Sequence, residues 1–216
     1  MKRGSFAGWV ICVVLAVCVA ALASCSKRHS QVARTPVVVV PKAPEGPTLP
    51  YNDIDFNTPL AAITKPKIYV YKSDRKLQLV NGDILVREYR VGLGPHPNGD
   101  KYFQGDGRTP EGEFYVCVKN PWSNYYKSLG LSYPHPKRAK EAFYAGSISP
   151  EDFACIMEAN SKKGKPPWNT TLGGAIMIHG GGAQNDWTEG CVAVYNSAMD
   201  ELFQVVSVGT PVEILP

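Results

Sequence analysis

Between Lys67 and Gly94 the chain alternates apolar and polar residues (KIYVYKSDRKLQLVNGDILVREYRVGLG). Ile68 and Val70, then Leu77 and Leu79, then Ile84 and Val86 recur at a spacing of two, which predicts half-buried strands. Ser73-Asp74 marks one turn, and Asn81-Gly82 marks a second of the commonest two-residue hairpin type. Glu113–Val118 (EFYVCV) predicts another strand behind the Pro110-Glu111-Gly112 turn. Ala175–His179 and Gly190–Tyr195 are short apolar runs that read as buried strands, and Val212–Leu215 closes the chain as a last one. Helical spacing appears twice. Ser149 and Pro150 suit the cap and first position of a helix whose apolar face carries Phe153, Ile156 and Met157. Asn196 is placed as the cap of a second helix, Ser197 to Val206, ended by Gly209. Residues 119–172 otherwise show no period and are rich in proline and aromatics. The pattern predicts a mainly β domain with two short α-helices, an irregular insertion and no internal repeat.

A different pattern precedes this domain. Lys2 and Arg3 lead into the apolar run Trp9–Ala20, shorter than the about 20 residues that span a bilayer. The run stops at Leu22-Ala23-Ser24-Cys25, a small residue before cysteine, in a segment built for processing. This junction resembles the lipobox of bacterial lipoproteins. The resemblance implies a signal peptide over residues 1–24, lipidation of Cys25 and attachment to a membrane through that N-terminal anchor. It implies residence in the bacterial cell envelope, on the periplasmic face; a plain secretory signal or an uncleaved anchor is the alternative. Pro36, Pro41, Pro44, Pro47 and Pro50 favour extended backbone. Residues 25–66 therefore read as the lipidated N-terminus and a proline-rich spacer, whose part from 51 to 66 either extends it or packs along the domain. Residues 67–216 read as the folded domain, at about 150 residues long enough for its own core.

Charge narrows the partners. The 23 basic residues, less Lys2 and Arg3, stand against 19 acidic ones and leave +2. No basic cluster interleaves with aromatics, so nucleic acid is not an expected partner. Six cysteines are present, and Cys12 and Cys18 leave with the signal. Of Cys117, Cys155 and Cys191, either the first two form a disulfide and Cys191 stays a free thiol, or all three stay unpaired.

The candidate chemistry lies in HGGGAQNDWTEGC, residues 179–191. His179 ends one predicted strand and Cys191 begins the next, so both sit at the rim of a sheet. A thiol becomes a nucleophile as thiolate, and a nearby imidazole can take its proton. Gly190 lets successive N–H groups point at one spot, as an oxyanion requires, and Gly180, Gly181 and Gly182 leave room beside the imidazole.

These residues resemble the L,D-transpeptidases with a YkuD-type catalytic domain. That family carries His-Gly at a strand end, then a loop, then Ser/Thr-His-Gly-Cys leading into a strand. Here His179-Gly180 and Thr188-Glu189-Gly190-Cys191 match it, as do Thr109-Pro110-Glu111-Gly112-Glu113-Phe114 upstream and the closing Gly209–Ile214. The resemblance implies an L,D-transpeptidase-type β-sandwich/barrel with a lid-like insertion. It implies peptidoglycan stem peptides as partners and attack by Cys191 on the amide after the third stem residue. His179 would be the base, and the Gly190 and Cys191 N–H groups with Thr188 would hold the oxyanion; no cofactor or metal is called for. Glu189 stands where the family has histidine, Ala193 where it often has arginine, and the loop after His179 is short. These departures leave open a hydrolytic L,D-carboxypeptidase or amidase, and a non-catalytic peptidoglycan-binding lipoprotein.

Other chemistries find less support. One histidine and one cysteine are too few for zinc, and neither CxxC nor HExxH occurs. His-Gly-Gly-Gly also occurs in lipase oxyanion loops, but no Gly-x-Ser-x-Gly elbow accompanies it. Trp122, Tyr125, Tyr126, Tyr133 and Trp168 are expected as a local core under the insertion, with sugar stacking or a lid as the alternative. His96 and His135, each before proline, are expected at the surface.

Overall fold

The computed structural model describes residues 49–216. The signal segment 1–24, Cys25 and the spacer up to residue 48 lie outside them. The described chain forms nine strands and three α-helices. β1 (Asp53–Ile54), β2 (Pro66–Tyr71), β3 (Lys76–Asn81) and β4 (Ile84–Arg90) come first. β5 (Gly112–Ser123) and β6 (Tyr126–Leu131) form a long hairpin, followed by α1 (Pro136–Tyr144) and α2 (Pro150–Ser161). β7 (Met177–His179), β8 (Val192–Ala193), α3 (Asn196–Val205) and β9 (Pro211–Leu215) complete the chain.

The strands make one mixed sheet in the order β1-β4-β3-β2-β9-β5-β6-β7-β8. It curls upon itself, since Gly92, just past β4, bridges Ala193 in β8 through a reciprocal pair of backbone hydrogen bonds of 2.9 and 2.8 Å. The result is the mainly β, sandwich-type architecture. Ile68, Leu77, Leu79, Ile178, Val192 and Val212 face one core, which α3 covers with Met199 and Leu202. Full burial of each such side chain is worth about 1.5–3 kcal/mol.

The second face of β2–β4 is also covered. Tyr69, Val80 and Leu85 are buried there, with Tyr51 packed over them. Ile63 enters the main core, and β1 runs parallel to β4. The folded body therefore starts upstream of Lys67, because β2–β4 are apolar enough on both faces to need a cover.

Several expectations change. Residues 119–172 are not an irregular insertion: they hold the second half of β5, β6 and the packed pair α1 and α2. α1 brings the helices to three. Its buried stripe is only Arg138, Ala139 and Ala142, too weakly apolar to reveal a helical period. His135 is not a surface residue. Its Nδ1 caps α1 by accepting from Arg138 N at 3.0 Å, and its Nε2 donates to Glu111 O at 3.2 Å. Asn196 does not cap α3; Tyr195 takes that position, and Asn196 begins the helix. Cys117 and Cys155 are free thiols, not a disulfide. Cys117 is half-buried on β5, where burial pushes its thiol up to about 11, whereas Cys155 faces solvent from α2.

Candidate active site

β7 and β8 run parallel, with Ile178 opposite Val192 and His179 opposite Ala193. Alternation turns Ile178 and Val192 into the core. His179 and, one residue before β8, Cys191 thus fall on the other face. Extending the register sets Cys191 opposite Met177, two residues along from His179. Strand spacing and rise put their Cα atoms about 8 Å apart, a gap that a thiol and an imidazole can close.

Cys191 opens into a cavity of about 660 Å³ whose wall includes Lys101, Gln104, Trp168, Trp187 and Glu189. Its Sγ accepts from Met177 N at 3.4 Å and donates to Ala175 O at 3.6 Å. Ala175 holds φ at +54°, which costs an L-residue about 1–2 kcal/mol. Burial pushes the thiol up from its ordinary range; the Met177 N–H and the Lys101 charge pull it down, and Glu189 adds to the rise. The net shift is upward, which favours the thiol over the thiolate.

His179 is buried. Its Nδ1 donates to Gly180 O at 2.6 Å, which leaves Nε2 as the acceptor nitrogen. Burial holds the imidazole below its ordinary pKa, partly opposed by the Gly180 carbonyl. Tyr125 stacks on the ring at 4.7 Å between centroids, and the Trp187 ring packs against it at 5.5 Å. No hydrogen bond joins His179 to Cys191 among the described residues; the two share a face of the sheet with Trp187 beside both.

The turn into Cys191 is locked locally. Thr188 Oγ1 accepts from Gly190 N at 3.2 Å and donates to Cys191 O at 2.8 Å. That hydroxyl and the Gly190 N–H are thus engaged with the turn rather than free for an oxyanion. Among the described residues no acceptor takes the Cys191 N–H, which stays available. Gly190 has φ of +124°, and a Cβ there would stand 2.6 Å from Arg108 O. Gly180 does not leave room for substrate. A Cβ on it would meet Asn196 Oδ1 at 2.5 Å, since the Asn196 carboxamide reaches in to accept from Gly181 N at 2.9 Å.

The loop between β7 and β8 is pinned from outside. Leu93 O accepts from Trp187 N and Thr188 N at 2.8 and 3.0 Å, while Leu93 N donates to Asp186 Oδ1 at 2.9 Å. Arg75 grips the same carboxylate, 2.7 Å from Nη2 to Oδ2, and holds Asp186 below the usual carboxylate range against the effect of burial. The Thr109–Phe114 stretch does not line the cavity and is held by a buried lysine. There Lys72, buried, donates to Gly99 O, Thr109 O and Glu111 Oε1 at 2.6, 3.0 and 2.7 Å.

The sequence did not reveal Tyr125, Trp187 or Lys101 as site residues. The expected aromatic core also dissolves: Tyr133 is buried, but Trp122, Tyr125 and Tyr126 are exposed on the β5–β6 hairpin and Trp168 lines the cavity. Their only sequence signal was abundance in one segment.

The model of the L,D-transpeptidase (YkuD) catalytic domain matches residues 65–214. YafK of Escherichia coli (strain K12), a protein named as a candidate L,D-transpeptidase, is 28% identical over 152 residues, 65% of this chain and 46% of its own length. The chain thus spans about half the length of the curated relatives it matches. Among solved structures, the helical cell shape determining protein Pgp2 (K307A mutant) of Campylobacter jejuni superposes with a TM-score of 0.48 at 23% identity, over 69% of this chain and 46% of that one. The L,D-transpeptidase of Xylanimonas cellulosilytica gives 0.41 at 18%, over 70% and 60%.

Proposed function

The chain belongs to the L,D-transpeptidase catalytic domain family, and from that premise we propose that it is a peptidoglycan-remodelling cysteine acyltransferase. It acts on the stem-peptide amide after the third residue. His179, neutral and with Nε2 as acceptor, takes the proton of the Cys191 thiol once the sulfur swings away from Ala175 O. The sulfur attacks the third-residue carbonyl carbon, and the Cys191 N–H donates to the resulting oxyanion. Collapse breaks the C–N bond, the imidazolium returns its proton to the departing amine, and the acyl group stays on sulfur as a thioester. An acceptor amine then makes a new amide, or water releases a free acid. The steps balance without a cofactor. Thr188 and Gly190 act by holding the turn, and Gly180 by orienting His179.

One placement carries this reading: Cys191 opens into the cavity while a tautomer-fixed His179 lies on the same face of the β7–β8 pair. The missing hydrogen bond between them favours a second reading, a peptidoglycan-binding module without turnover. Intact-mass measurement after incubation with a carbapenem separates the two. We expect one covalent adduct on the wild type and none on Cys191→Ala; a folded wild type that acquires no adduct supports the binding module. Muropeptide products then distinguish transfer, a bridged dimer, from hydrolysis, a shortened stem. Lipidation of Cys25 would tether the domain at the envelope membrane, where this substrate lies.

A further inference from the structure

The imidazole of His179 takes its orientation from a peptide group with no side chains of its own. Nδ1 donates to Gly180 O at 2.6 Å, and that oxygen belongs to the peptide joining Gly180 to Gly181. Glycine stands on both sides of this peptide, and Gly181 has φ of +105°. Without a Cβ at either residue, sterics alone do not fix the peptide plane. The neighbouring peptides are pinned by backbone bonds. Gly180 N donates to Lys127 O at 3.2 Å and Val194 N to His179 O at 2.8 Å, while Gly182 N donates to Val194 O at 2.9 Å. The Gly180–Gly181 peptide is held instead by a side chain, because its N–H donates to Asn196 Oδ1 at 2.9 Å. Asn196 reaches it because position 180 lacks a Cβ, which would stand 2.5 Å from that oxygen.

A hydrogen-bonded chain therefore runs from the Asn196 carboxamide through one peptide plane to the ring. An acceptor on a peptide N–H makes the carbonyl oxygen of that peptide a stronger acceptor in turn. A stronger acceptor at Nδ1 keeps the proton there, leaves Nε2 free as the base, and favours the imidazolium once it forms. Burial acts the other way on this ring, and the Gly180 carbonyl is what opposes it. Tyr125 and Trp187 pack on the imidazole with their rings. On the adjoining β6 and α3, Lys127 and Asp200 pair with each other at 2.6 Å. Among the described residues no carboxylate accepts from the ring.

We propose that Asn196 is a positioning residue for the His179 base: its carboxamide oxygen fixes the Gly180–Gly181 peptide, and through it the orientation and tautomer of the imidazole. Asn196 does at one remove what a carboxylate does when it accepts directly from a catalytic imidazole. It exchanges no proton itself. This inference rests on the reading of His179 as the base.

Nitrogen-15 NMR of the full chain labelled at histidine reads the tautomer and pKa of His179 without turnover, and His179→Gln identifies its signals. Asn196→Ala should move the proton from Nδ1 towards Nε2 and lower the pKa. Asn196→Asp, which keeps the oxygen and adds charge, should hold the wild-type tautomer and raise the pKa. Both variants should fold, since Asn196 is exposed and does not cap α3. Carbapenem acylation of Cys191 at neutral pH should slow at least about tenfold in Asn196→Ala and recover in Asn196→Asp. An unchanged tautomer and pKa in Asn196→Ala, pKa shifts of the same sign in both variants, or equal acylation rates in wild type and Asn196→Ala overturn the proposal. The expected NMR response in a protein that a carbapenem never acylates would instead overturn catalysis and leave the Asn196 relay standing.

Discussion

Burial favours the neutral forms of both His179 and Cys191, and it shifts them in opposite directions. Burial disfavours the imidazolium on one side and the thiolate on the other. The base is needed unprotonated, and its pKa is lowered, so the acid limb of kcat/KM should lie below about 6.5, the ordinary imidazole value. Peptide-resolved alkylation with iodoacetamide should show Cys191 reacting with an inflection above about 8.5, the ordinary thiol value. An inflection below neutrality would reveal a preformed thiolate–imidazolium pair and contradict this preference for the neutral forms. At this scale the proposed nucleophile and base were readable because each ends or begins an apolar run that puts it at a strand mouth. Lys101 was not readable: a lysine in a glycine-rich loop gives no hint that Asp106 and Phe103 will bury it. His135 misled for a similar reason, since its capping bond to Arg138 depends on a helix that its sequence barely announces.

The element on which the site depends is the loop between β7 and β8. It is short and is held by contacts to other parts of the chain, chiefly Arg75 and Leu93. Asp186→Ala would leave the Leu93 N–H and the Arg75 guanidinium without their acceptor, at a cost of about 1–3 kcal/mol. Urea unfolding should show that loss, and carbapenem acylation of Cys191 should slow because Trp187 and Thr188 sit on the same loop. An unchanged midpoint together with an unchanged acylation rate would mean that the Asp186 anchor does not matter. The strands β2, β3 and β4 were legible from period-two alternation, and α2 from its Ser149 cap and apolar face; α3 was expected in place, but with Asn196 as the cap where Tyr195 stands. β6 and α1 were missed: YKSLGL carries no clean alternation, and the buried stripe of α1 is mainly alanine.

For the molecule as a whole, the folded body extends upstream of the alternating region that first marks it. Protein starting at residue 49 should unfold at a temperature roughly 3–12 °C higher than protein starting at residue 67, since Ile63 in the core is worth about 1.5–3 kcal/mol. Equal midpoints would make residues 49–66 a passive tether. Local periodicity, turn residues and two short motifs determined by themselves the β character, the family and the two residues with the chemistry of a nucleophile and a base. Those signals are short-range, so they survive in a string of letters. Tertiary structure alone decided which groups surround that pair, because a curled sheet brings together residues far apart in the chain. Tyr125 and Trp187 against His179, and Lys101 beside Cys191, owe their places to that closure. Their burial, and the charge states that follow from it, depend on packing that no local pattern encodes.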